Sequence, residues 1–227
     1  MIQDIYSFLS KGGWLMIPIG ICSVIALGLF FERMWSLQRT KVIPARFLTM
    51  LMKHVKEGRF QEAEAMCEGN DSHLAAILHA GLRYAGRDRA IIKEVMEEAG
   101  QREIHFMERF LGAIGAIATI SPLLGLLGTV TGMITVFQRV VSQAAAGTPA
   151  DPGGLANGIW EALITTAAGL TVAIPTYLAY RYIESKIDRF SVEMIDISLD
   201  AAEYMVPENQ SPISLNRTKE PDVSESE

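Results

Sequence analysis

One carboxylate and a group of hydroxyls interrupt stretches of this chain that are otherwise apolar. Glu161 stands immediately before the uncharged run that opens at Ala162, and Thr129, Thr131, Thr135, Thr165, Thr166 and Thr171 carry hydroxyls inside two such runs. An acidic side chain at the centre of a lipid span costs at least about 2.5–3.5 kcal/mol, so such groups usually face a protein interior or a wet passage. With a helix start at Leu155, Glu161 lies roughly 9 Å below the outer end, and snorkelling to the interface stays open as its alternative role. Thr129 and Thr166 fall at depths differing by about 4 Å in antiparallel helices, facing each other or a shared pore. A threonine in a membrane helix commonly bonds its own backbone one turn back, so the concentration of hydroxyls carries more than any single one.

Other chemistries lack their parts. His54, His73, His79 and His105 all lie between the first and second apolar runs, where they read as solvated helix positions. An intramembrane hydrolase would need a nucleophile and base, or His and Asp ligands, within the spans, and no His lies in any of them, so no catalytic residue, cofactor or metal site is expected. Cys22 lies inside the first run and Cys67 in the segment after it, so no disulfide joins them. Nothing points to nucleic acid.

The elements that must position these groups follow from hydropathy. Of 227 residues, 49% are hydrophobic and 20% charged, and the apolar ones are concentrated in runs at 14–31, 111–137 and 158–180. Each is long enough to cross a hydrocarbon core of about 30 Å. The first lacks the basic start and small-residue cleavage site of a secretory signal and reads as a retained anchor. Of 20 basic residues, 13 lie between Arg33 and Arg109 and 5 between Arg181 and Lys219. Positively charged loops stay in the cytoplasm, which sets the amino terminus outside, in the periplasm, and the carboxyl terminus inside.

The expected fold is an all-α integral membrane protein with three transmembrane helices, the second and third extended far into the cytoplasm, and a cytoplasmic helical domain. An external segment covers 1–13, a cytoplasmic helical loop 32–110, an external loop 138–157, a helical extension 181–206, and a disordered acidic tail 207–227. Apolar residues recur three and four apart at Phe47, Leu51, Val55 and at Leu74, Ile77, Leu78, Leu82, the helical period. Asp88 is placed to start a helix that runs on into the second span with no strong break before Ser121-Pro122.

Within the spans, Gly128 and Gly132 form a GxxxG pair suited to close helix approach, and Pro122 and Pro175 each remove a backbone donor. The stretch Gly112–Ile134, GAIGAIATISPLLGLLGTVTGMI, and the stretch Gly158–Pro175, GIWEALITTAAGLTVAIP, closely resemble the second and third spans of the ExbB/TolQ branch of the MotA/TolQ/ExbB proton channel family. The likeness extends over most of the chain.

This resemblance implies a homo-oligomeric ring in the bacterial inner membrane, usually a pentamer, around an ExbD/TolR-like single-span protein whose aspartate takes up and releases protons. Proton flow would drive rotation, passed on to a TonB-like or other envelope protein. The family's pore threonines match Thr129 and Thr166 and its membrane glutamate matches Glu161; Thr165 stands beside the matching position. The short amino-terminal segment and long acidic tail depart from some relatives, and flagellar-stator members usually have four spans. The competing expectations are a non-conducting helical membrane scaffold, which leaves the clustered threonines and Glu161 unexplained, and a stator for another motility or envelope system.

Overall fold

The structure, a computed structural model, describes residues 13–149 and 151–206. The segment expected at 1–13, apart from Gly13, and the tail at 207–227 lie outside the described residues. The helices are α1 (Met16–Ser36), α2 (Arg39–Val42), α3 (Ala45–Lys56), α4 (Phe60–Glu68), α5 (His73–Leu82), α6 (Arg89–Glu108), α7 (Leu111–Ala145) and α8 (Pro152–Met205), and no strand occurs among the described residues. The chain divides into two compact units, one built from residues up to Met34 with Phe110–Glu184, the other from Trp35–Arg109 with Ser185 onward.

The first unit holds the apolar helices. Among the described residues, three helical stretches are long and apolar enough to cross a membrane, and they leave large apolar side chains uncovered: Val24 and Phe31 on α1, Leu123 and Phe137 on α7, Leu163 and Leu178 on α8 are all more than half exposed. Water would penalise each by about 1.5–3 kcal/mol relative to burial, whereas lipid or another protein surface would not. The protein is an all-α membrane protein.

α7 and α8 pack through small residues. A Cβ added to Gly169 would stand 2.6 Å from the Ser121 carbonyl oxygen and 3.1 Å from the Gly125 Cα. At Gly132 it would meet the Ala162 Cβ at 2.9 Å, and at Gly128 the Thr165 Cβ at 2.7 Å. The glycines therefore bring two backbones together, and the GxxxG pair serves a partner helix in the same chain.

Two local features differ from the sequence expectation. The helix entering the second span is not continuous, because Phe110 adopts φ +69° between α6 and α7. No Gly or Pro marks the site. Its ring lies 5.2 Å from the Arg33 guanidinium, which is itself 5% exposed and paired with Glu32 at 2.6 Å. Conversely, Pro122 does not break α7, where the neighbouring Ser121 hydroxyl donates to the Ile117 carbonyl at 2.7 Å. Pro175 likewise lies within α8.

The turn between α7 and α8 is also shorter than the loop expected at 138–157, since α7 continues to Ala145 and α8 begins at Pro152. The Asp151 carboxylate accepts bonds from the Gly153 and Gly154 backbone N–H groups, each at 3.0 Å. This caps the helix, and Pro152 with its fixed φ fits the first helical position, so residues that punctuate a sequence here open a helix.

The second unit is a helical domain with its own core. Leu51, Leu74, Leu78, Ile92 and Met194 are fully buried, on the stripes the period-3.6 pattern marks. Asp88 caps α6 by accepting from the Ala90 N–H at 2.9 Å, and Ser72 caps α5 through the Ala75 N–H at 3.3 Å. The late part of α8 is tied in by Arg89–Glu203 at 3.0 Å and by the Gly86 N–H donating to the Met205 carbonyl at 2.8 Å. Burial, with a smaller push from the Glu64 charge, raises the Cys67 thiol to about 12, so it stays protonated and unreactive at neutral pH.

Candidate functional site

Glu161 is exposed on α8 and its carboxylate points toward the start of α1: a Cβ on Gly13 would be 2.6 Å from the Glu161 Oε1. Gly13 has φ +69°, a backbone state that glycine adopts without a side-chain penalty, so its identity serves both the turn and the close approach. Glu161 lines a cavity of about 190 Å³ whose polar members are Thr131, Thr135 and Arg139 from α7 and Thr165 from α8. On α7 these three sit at i, i+4 and i+8, on one face; on α8 Glu161 and Thr165 are also one turn apart.

The hydroxyls are oriented. Thr131 donates to the Leu127 carbonyl at 2.9 Å, Thr135 to the Thr131 carbonyl at 3.0 Å and Thr165 to the Glu161 carbonyl at 2.9 Å. A hydroxyl whose hydrogen is committed to a carbonyl keeps its lone pairs as acceptors, so such groups suit a water, a hydronium or a protonated carboxyl as donor.

Thr129 and Thr166 stand apart from this cavity. Thr129 is half-buried and donates to the Leu126 carbonyl of its own helix at 2.7 Å. Thr166 donates across to the Gly125 carbonyl at 2.8 Å, one turn of α7 before Thr129. The two hydroxyls are thus set at neighbouring turns, each bonded to a carbonyl rather than to each other. Thr165 is 2% exposed and packs on Gly128, a burial that depends on the register of the two helices.

The sequence singled out Glu161 and Thr165, and the structure brings both to one cavity. It did not single out Arg139 for that cavity, nor group Thr131 and Thr135 with Glu161. The signal was there: Arg139 is the lone basic residue between the second and third apolar runs, and it continues the fourfold spacing of Thr131 and Thr135.

These features define a class: a helical membrane protein whose apolar helices carry an acidic group, oriented hydroxyls and glycine-mediated packing. Residues 69–195 match the MotA/TolQ/ExbB proton channel family. An ExbB-like biopolymer transport protein of Synechocystis sp. is 33% identical over 77% of this chain and 68% of its own length. The ExbB-type biopolymer transport protein of Vibrio cholerae is 28% identical over 83% of this chain and 81% of its own. The Tol-Pal system protein TolQ of Haemophilus influenzae is 36% identical over 44% of this chain and 43% of its own. The chain belongs to the MotA/TolQ/ExbB proton channel family, on its ExbB/TolQ branch.

Proposed function

We propose that this chain is the ring-forming subunit of an inner-membrane motor driven by the proton-motive force, with an ExbD/TolR-like single-span partner that carries the titrating aspartate. The observation that carries this reading is the charge pattern of the apolar helices. Between Leu111 and Phe137 there is no ionisable side chain, and from Ala162 to Tyr180 none but tyrosine, while hydroxyls recur through both. A wall of this composition holds water and accepts hydrogen bonds but does not itself carry a proton across, so the carrier comes from another protein.

On this reading Thr129 and Thr166 line the passage at mid-depth and Glu161 stands toward its outer end. Thr165, Gly128 and Gly132 keep α7 and α8 in register, and Pro122 and Pro175 leave carbonyls free for water. The ring is a homo-oligomer, a pentamer by family likeness, surrounded by lipid. The amino terminus faces the periplasm, and motion passes to a TonB-like or other envelope effector. The chain catalyses no covalent step.

The non-conducting scaffold is favoured by one observation, that Thr129, Thr131, Thr135, Thr165, Thr166 and Thr171 each donate to a backbone carbonyl, as hydroxyls used only for packing would. The two readings separate in a double variant. Thr129→Ala with Thr166→Ala should leave insertion and copurification with the single-span partner intact while abolishing energy-dependent function and proton flux in reconstituted vesicles. Full flux in that variant, with the partner bound, returns the threonines to packing.

A further inference from the structure

In the helical domain Glu64 and Glu68 lie four residues apart on one face of α4, and His79 approaches them from α5. The His79 Nε2 is 3.7 Å from the Glu64 Oε1 and 3.9 Å from the Glu68 Oε1, and the three atoms all lie within 4.8 Å of one another. Two carboxylates and an imidazole nitrogen thus converge on one point from two helices.

A second observation sets this group apart from an ordinary acidic surface. The Nε2 atom is out of reach of solvent and has no hydrogen-bond partner, although the residue as a whole is only partly buried. A buried polar nitrogen with nothing to bond is costly, because it has given up water without a replacement. The two carboxylates are both within 4 Å of it, and no Lys or Arg pairs with either of them among the described residues. The place where a cation would sit is surrounded by acceptors and lacks a fixed counter-charge. The sequence expectation that the four histidines are solvated does not hold for this atom.

We propose that Glu64, Glu68 and His79 form a binding site for a divalent transition-metal cation of the zinc type, which clamps α4 to α5. One imidazole and two carboxylates suit zinc, cobalt or nickel better than calcium or magnesium, which prefer oxygen alone. With metal–ligand bonds of about 2.0–2.2 Å, neighbouring ligands in a tetrahedral site stand roughly 3.4 Å apart. The present separations need only a small closing of flexible side chains. Glu68 is 67% exposed, so the remaining coordination is open to water. The site belongs to the helical domain and is independent of any proton pathway.

The test uses the full-length protein in detergent, stripped with a chelator and titrated with cobalt(II) alone, then zinc(II) alone. The expected result is one cation per chain, visible absorption bands of low-symmetry cobalt, and a melting temperature that rises with zinc. His79→Gln and Glu64→Gln should each weaken binding at least tenfold. Glu68→Gln, at an exposed position that the core does not depend on, should weaken it as well and guards against a misfolded variant. Lack of saturable binding at one equivalent overturns the proposal, as does unchanged affinity in Glu68→Gln with His79→Gln. So does a melting temperature that ignores metal but rises on acidification, which would make the cluster an imidazolium held by two carboxylates.

Discussion

Threonine in a membrane helix has two roles that the same hydrogen bond can serve. The Thr166 hydroxyl joins α8 to the Gly125 carbonyl, and in doing so it turns its lone pairs toward whatever lies beside the pair of helices. Removing the hydroxyl takes away a cross-helix bond, worth about 0.5–1.5 kcal/mol, and, on the proposed function, an acceptor for a proton carrier. The conservative change Thr166→Ser therefore separates them: it should retain most energy-dependent function, while Thr166→Val loses it at equal expression. Glycine at 128 is set by distance alone. Gly128→Val drives a branched side chain into Thr165 and should destabilise the folded chain by about 1–3 kcal/mol or more, read as a lowered thermal midpoint in detergent. Glu161 and the threonine-rich runs were plain in the sequence, because a carboxylate and hydroxyls stand out against apolar neighbours. The burial of Thr165 was not, because it depends on which turn of α7 faces which turn of α8.

At the level of elements, most helices could be read from periodicity, since Leu74, Ile77, Leu78 and Leu82 are buried where the 3.6-residue repeat puts them. Helix ends were harder. Pro122 suggests a break that α7 does not make, and Phe110 makes a break that no residue type announces. Neither is visible in residue types: a serine hydroxyl bonds its own helix beside the proline, and a guanidinium from α1 lies against the phenyl ring. The Gly- and Pro-rich stretch after Ala145 looked like loop because composition does not show a cap. Asp151 satisfies two N–H groups that would otherwise be orphaned. Asp151→Ala should lower stability by about 1 kcal/mol and Asp151→Asn by less, measured from denaturant midpoints and from amide exchange at Gly153 and Gly154.

For the whole molecule, the proposed side of each segment rests on the distribution of Lys and Arg rather than on packing. Cysteine substitution checks it. Thr148→Cys, in the turn between α7 and α8, should react with a membrane-impermeant maleimide in intact cells. Glu94→Cys, on α6, should react only after the membrane is opened. Cys67 gives little background because it is buried. The opposite labelling pattern would invert the topology and with it the assignment of Glu161 to the outer half.

The glycine contacts between α7 and α8 carry one more implication. Where Gly125 meets Gly169 the two backbones leave less than the width of a water molecule between them, so at that level the seam between the two helices offers no passage. On the proposed function, conduction then requires surfaces that other chains contribute. Cells that overproduce this polypeptide by itself should keep a normal membrane potential and grow at the usual rate, and a voltage-sensitive dye would report any leak.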